Sequence, residues 1–322
     1  MRGKFCVIGG GSMIGSTLVD HLVADPEVES VRVLDAFFAD DNRGNLADAL
    51  ATGKVDLVEG DIRNREQLRE HLAGMDGVFN LAAVMSLDGA GKNEWMWTVN
   101  ADGFFNIVDV ARELGIPRVV TSSSAAVYGE LPSDELCRED VPLRPSTVYG
   151  ATKAACEMLA SAYSASQGVS TAVLRYGVVY GPRLHRRAKS SLVISDVIDA
   201  LLRGERPTVI GDGTQVCDWV YVGDVARANI AAMQSDSTGE VFNVGTGGRR
   251  TVAEVIDVIY RLLGVDGQPP IFEPAPEGVR YNQNIMSPEK SEQILGFRAE
   301  TSLEEGIVAQ IKFQRSQLST QS

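Results

Sequence analysis

The chain is short of residues that could cross-link it or hold a metal. Cys6, Cys137, Cys156 and Cys217 are its only cysteines, and they lie far apart with no Cys-x-x-Cys pair. With just three histidines beside them, neither a Cys/His zinc site nor a disulfide framework is supported. The expectation is no metal, and thiols of the cytoplasmic kind. Apolar runs reach only strand length, so no membrane-spanning helix is expected. The start, from Met1 to Ile8, runs straight into a strand and lacks the pattern of a secretory signal. A cytoplasmic location is therefore expected. Basic residues number 30 against 43 acidic ones, a net charge of −13. That balance argues against a nucleic-acid surface, while local basic clusters leave room for small anions.

What is present is an ordinary globular mixture, 44% hydrophobic and 23% charged over 322 residues. That length suits two lobes or one large α/β unit with an appended piece. Short apolar runs at 5–8, 31–35, 55–61, 77–81, 118–122 and 171–175 read as six strands. Helical patterns lie at 16–23, 97–114 and 146–166, the second stopped by Gly115 and Pro117. This alternation predicts an α/β fold with a doubly wound parallel sheet. Past Gly181-Pro182 the pattern turns irregular: 193–203 and 251–263 look helical, 269–276 looks like a loop, and 316–322 looks like a frayed tail.

Gly9-Gly10-Gly11-Ser12-Met13-Ile14-Gly15 sits between the first strand and the first helix. Such a loop lets backbone approach a pyrophosphate, and the helix start supplies free N–H groups and a positive dipole end. A bare strand–helix turn is the simpler reading, but Asp35 argues against it. It ends the second strand about twenty residues past Gly15. A carboxylate there accepts hydrogen bonds from ribose hydroxyls and repels a 2′-phosphate, which selects NAD over NADP. After the third strand, Asp61 and Ile62 are placed either to hold an adenine or, for Asp61, to cap a helix over 63–72.

Tyr149 stands four residues before Lys153, so both share one helix face. An ammonium there stabilises a phenolate and lowers a phenol pKa that is ordinarily about 10. A tyrosine tuned in this way takes a proton from a substrate hydroxyl near neutral pH. Upstream stand Ser122-Ser123-Ser124, which alone would read equally as a solvated strand-end turn.

With these motifs in hand, the chain resembles the extended short-chain dehydrogenase/reductase family, and within it the NAD-dependent sugar epimerase/dehydratase branch. The resemblance runs from Val7 to about Gly306. It adds Leu81-Ala82-Ala83, Asn100, Val127-Tyr128-Gly129, Arg175-Tyr176, Tyr180-Gly181-Pro182-Arg183 and Phe242-Asn243-Val244-Gly245 to the segments above. It implies Tyr149 as general acid/base, Lys153 on the nicotinamide ribose and Ser124 on the reacting oxygen. It further implies cofactor contacts from Leu81, Ala82, Ala83, Asn100, Ser122 and Tyr176. The corresponding Rossmann-type unit would be 1–176, rejoined by 218–249. A smaller interwoven lobe, mainly 177–322, would take the substrate.

The departures bear on the substrate. Ser12 replaces the usual middle glycine of the loop and narrows the backbone approach. Ala125-Ala126 stand where the branch's dehydratases carry an acidic residue, which counts against elimination of water. Val178 replaces an asparagine and Cys217 an arginine that binds a ligand phosphate. Lost hydrogen bonds to charged groups are worth about 1.5–3 kcal/mol each. Arg183, His185, Arg186, Arg187 and Lys189 form a basic stretch. It is either a solvated loop or an anion-binding lip. Arg280 matches a further anion-binding arginine of the family.

The resulting expectation is an NAD-dependent sugar epimerase acting at C4 of a nucleotide-linked or otherwise anionic sugar. A net dehydrogenase or reductase on a sugar, sugar acid or related hydroxy compound is the alternative. Intact Ser124, Tyr149 and Lys153 argue against a non-catalytic NAD sensor. The resemblance implies a homodimer through 97–114 and 146–166. Trp95, Trp97, Phe104 and Phe105 suit such an interface, or equally the core.

Overall fold

Strand runs that are apolar on both faces belong to a sheet covered on both sides. The computed structural model describes residues 1–37, 40–85, 93–131, 136–184, 193–267, 269–274 and 284–319. In it the six runs become β1 (Gly3–Ile8), β2 (Val28–Asp35), β3 (Val55–Glu59), β4 (Gly77–Asn80), β5 (Arg118–Ser124) and β6 (Ser170–Tyr176). A seventh strand, β7 (Glu240–Val244), joins at the edge beside β6. The order across the sheet is β7-β6-β5-β4-β1-β2-β3, and every pairing is parallel. This is the doubly wound α/β class expected. The winding changes direction between β1 and β4, and in such sheets ligands bind beyond the strand C-termini at that point.

The core lies on both faces because neighbouring strand residues point opposite ways. Val7, Phe79, Val120 and Leu174 enter one apolar cluster, and Ile8, Val78, Val119 and Val173 enter the other. A third cluster joins helices Val193–Leu202, Val252–Leu263 and Leu303–Ser319 through Ile194, Val197, Val255, Ile259 and Ile307. No helix among the described residues is long and apolar enough to cross a membrane.

Three elements differ from expectation. The helix read over 97–114 is three pieces, Asn93–Trp97, a π-helical Thr98–Asp102 and Gly103–Leu114. Apolar periodicity does not register a local widening of this kind. Within 269–276, Ile271–Glu273 is a strand paired with Thr208–Ile210, hidden by the prolines that precede it. The supposed tail continues the last helix to Ser319, because Gln314 is buried and donates to the Ser195 carbonyl at 3.0 Å.

Candidate active site

The glycine loop opens a cleft at the C-terminal ends of β1 to β4. Gly9, Ser12, Asp35, Asp61, Ile62, Leu81, Ala82 and Ala83 line it together. Met13 and Ile14 fall in the first turn of helix Met13–Ala24, where N–H groups have no partner within the helix. Gly15 packs against the backbone of Gly9 and Gly10, so tightly that an added Cβ would collide with both. Ser12 caps this helix: its hydroxyl donates to the Gly9 carbonyl at 2.8 Å and accepts from Gly15 N–H at 3.1 Å. The serine thus turns inward and braces the loop.

Asp35 spans two jobs. Its carboxylate accepts the N–H of Gly11 at 2.8 Å and of Phe37 at 2.9 Å while lining the cleft. Asp61 does not cap the following helix. Asn64 does, accepting from Glu66 and Gln67 N–H ahead of Arg65–Leu72. Asp61 instead pairs with Arg63, whose guanidinium holds the carboxyl below its usual range. Sequence reading missed Asn42, which lines the same cleft and has a buried carboxamide oxygen with no partner among the described residues. A concave glycine cradle, an acidic strand tip and an orphaned acceptor fit a dinucleotide.

The proton-transfer candidates stand on the next strand and its covering helix. Ser122 and Ser124 close β5, which pairs with β4. Tyr149 and Lys153 lie on helix Val148–Ser166, capped by Thr147 accepting from Gly150 N–H. That helix approaches the turn after Ser124 at Gly150: an added Cβ would stand 2.6 Å from the Ala126 carbonyl oxygen. Only glycine permits this contact, which brings the helix of Tyr149 against the end of β5.

Lys153 does not behave as expected. Its ammonium donates to the Ser122 carbonyl at 2.9 Å and hydroxyl at 3.1 Å, and lies 5.9 Å from the Tyr149 ring centroid. Burial pushes the Tyr149 phenol up to about 12, opposed by the Ser124 hydrogen bond. Burial likewise pushes Lys153 down. The protein groups alone therefore do not lower the phenol's pKa, because desolvation outweighs a lysine engaged elsewhere.

Other expected contacts are already engaged within the protein. The Asn100 carboxamide accepts from Val84 N–H at 2.7 Å and donates to Val84 O and Thr152 Oγ1, both at 3.0 Å. It fastens the loop after β4 to helix Val148–Ser166. The Tyr176 hydroxyl is bound by Asn229, leaving only its ring available. Arg183, with φ of +69°, reaches back to Asp20 at 2.6 Å instead of facing a substrate. Val178 and Cys217 belong to one apolar neighbourhood, and burial pushes the Cys217 thiol up to about 12, so neither supplies charge. Arg187 and Arg280, with residues 185–189, lie outside the described residues. Phe104 is core, whereas Trp97 and Phe105 are exposed, and Trp95 is packed partly against the core.

Comparison with known proteins agrees with this geometry. The family model described as NAD dependent epimerase/dehydratase family matches residues 5–245. A UDP-glucose 4-epimerase of Mycolicibacterium smegmatis is 31% identical over 314 residues, covering 96% of this chain and 98% of that protein. A solved UDP-N-acetylglucosamine 4-epimerase from Methanobrevibacter ruminantium M1, in complex with UDP-N-acetylmuramic acid, superposes with a TM-score of 0.90. It is 29% identical, with 98% of this chain and 99% of that one covered. A dTDP-glucose 4,6-dehydratase from Streptomyces venezuelae, with NAD bound, is similar at a TM-score of 0.89 and 28% identity, covering 98% of each chain.

Proposed function

The chain belongs to the NAD-dependent epimerase/dehydratase family, and we propose that it inverts C4 of a nucleotide-linked sugar. It is an enzyme and its cofactor is NAD. The loop from Gly9 to Gly15 would hold the pyrophosphate, Asp35 the adenosine ribose, and Asp61 with Ile62 the adenine. NAD supplies the acceptor and donor of hydride. The chain's own residues handle the proton and the oxygen. Tyr149 takes the proton from the C4 hydroxyl and later returns it, and Ser124 holds the oxygen throughout. Lys153 keeps a positive charge beside both.

The observation that carries this reading is the helix of Tyr149 and Lys153 lying over the serine end of β5, with Lys153 on Ser122, beside the strand that ends at the cleft. Dehydration is disfavoured because Ala125 is buried and Ala126 carries no acid. A net dehydrogenation of a sugar or sugar acid is the second reading. It is favoured by the uncharged Val178 and Cys217, which offer no diphosphate clamp.

The same reading assigns 1–176 with 218–249 to the cofactor and most of 177–322 to the sugar. It is supported by helix Val222–Gln234 and β7, which lead the chain back onto the sheet. Homodimerisation is supported by exposed Trp97, Phe105 and Met158 on the helices that flank the site. A cytoplasmic setting is supported by four buried free thiols. The test is incubation with UDP-glucose and UDP-N-acetylglucosamine, followed by chromatography and NADH absorbance. A C4 isomer without accumulating NADH supports epimerisation. Stoichiometric NADH with an oxidised sugar would replace it by the second reading.

A further inference from the structure

One helical turn beyond Lys153 lies Glu157, a buried carboxylate that takes no part in the proton transfer described above. Its Oε1 accepts from the Ser123 hydroxyl at 2.5 Å and from Arg175 Nε at 2.9 Å, and its Oε2 accepts from Arg175 Nη2 at 2.7 Å. Arg175, equally buried on β6, also donates to the Tyr128 hydroxyl at 2.8 Å. Tyr128 in turn donates to Asn243 on β7 at 2.7 Å.

Stability alone is a weak reason for such a pair. Desolvating two charges is costly, and apolar replacements of similar volume are often neutral or stabilising. Position is the better reason. Two of the three serines that end β5 each meet one residue of the catalytic helix: Ser122 meets Lys153 and Ser123 meets Glu157. Burial works against the Lys153 ammonium, and the groups opposing it are Cys156 and Glu157. The Cys156 thiol is itself pushed up to about 11 by burial. It therefore stays neutral near pH 7, which leaves Glu157 as the counter-charge.

We propose that Glu157 is a positioning residue for the reaction. Held by Arg175 and Ser123, it locks the catalytic helix onto the serine strand and keeps the Lys153 ammonium charged inside the fold. This rests on the reading of Tyr149 and Lys153 as the proton-transfer pair. The titratable groups around Glu157 are Lys153 and Cys156 on its own helix, Arg175 on β6, and Tyr128 beyond it. Glu139 also faces this network, with its carbonyl on Arg175 and its carboxylate on the Asn243 N–H.

The test is the protonation midpoint of Lys153, read by NMR of isotope-labelled lysine. The resonance is identified by its loss in Lys153→Met. Glu157→Gln leaves Arg175 buried without its counter-ion, so the Glu157→Gln/Arg175→Met double variant, which removes both charges, provides the folded comparison. Arg175→Met alone is measured beside it, so that the two variants differ only at position 157. The expected result is a Lys153 midpoint lower in the double variant than in Arg175→Met by about one pH unit or more. The alkaline limb of turnover should move down with it. A folded double variant in which Lys153 titrates as in Arg175→Met would overturn the proposal and reduce Glu157 to a structural partner of Arg175. The titration needs no sugar, so failure to find C4 epimerisation and failure of this inference are read separately.

Discussion

Lys153 is fastened to Ser122 through both the carbonyl and the hydroxyl of that residue, at 2.9 and 3.1 Å. The ammonium is therefore anchored to the end of β5, 5.9 Å from the Tyr149 ring centroid. Ser124 stands two residues further along the same strand. Strand and helix share the task of aligning the three side chains, and a bound oxidised nicotinamide would add a positive charge to that site.

The phenol should therefore change its titration with the cofactor. In cofactor-free protein, burial holds Tyr149 at about 12. The difference in ultraviolet titration between wild type and Tyr149→Phe should show no extra phenolate below about pH 10, the ordinary tyrosine value. Saturating NAD should move that ionisation downward, because a positive charge nearby favours the phenolate. An unchanged curve with NAD would mean that the cofactor's charge does not reach Tyr149.

Gly150 should resist substitution for a steric reason. Replacing glycine by alanine inside a helix ordinarily stabilises by about 1 kcal/mol. Here the new Cβ would meet the Ala126 carbonyl oxygen at 2.6 Å and Pro145 Cβ at 3.0 Å, and overpacking of this kind costs about 1–3 kcal/mol. Gly150→Ala is expected to lower the melting temperature and to reduce turnover about tenfold or more by moving the helix of Tyr149 off the end of β5. Thermal unfolding beside a steady-state assay checks both.

Asp35 should decide the choice of cofactor and also brace the loop. Asp35→Ser removes the repulsion toward a 2′-phosphate and the acceptor for Gly11 N–H. Hydrogen bonds to charged groups are worth about 1.5–3 kcal/mol. Calorimetry should find NAD binding weakened about tenfold or more, with NADP gaining relative to NAD.

Much of this molecule was legible in the chain, for physical reasons. Six sheet strands announce themselves as apolar runs bounded by glycine and acidic residues. The cleft follows because the glycine loop, Asp35 and Asp61 all sit at strand ends that a parallel sheet gathers on one edge. The misses have causes as definite. Thr98–Asp102 is a π-helical turn, whose wider hydrogen bonding leaves no trace in apolar periodicity. Glu157 and Arg175 form a buried pair across 18 residues of sequence, and Arg183 meets Asp20 across 163. No spacing rule covers such partners, because they are chosen by how a helix lies over a strand. The expectation that Lys153 would tune the phenol directly overlooked Ser122, whose carbonyl and hydroxyl both accept from the ammonium.

The central claim is that Tyr149 carries the proton in an NAD-dependent inversion at C4. It is tested most directly by the rate of interconversion of UDP-glucose and its C4 isomer in wild type and Tyr149→Phe, with bound NAD measured in both. The account predicts a loss of about 10²–10⁴-fold, the usual contribution of general acid–base catalysis, at unchanged NAD content. A Tyr149→Phe enzyme that keeps NAD and turns over at the wild-type rate would contradict it.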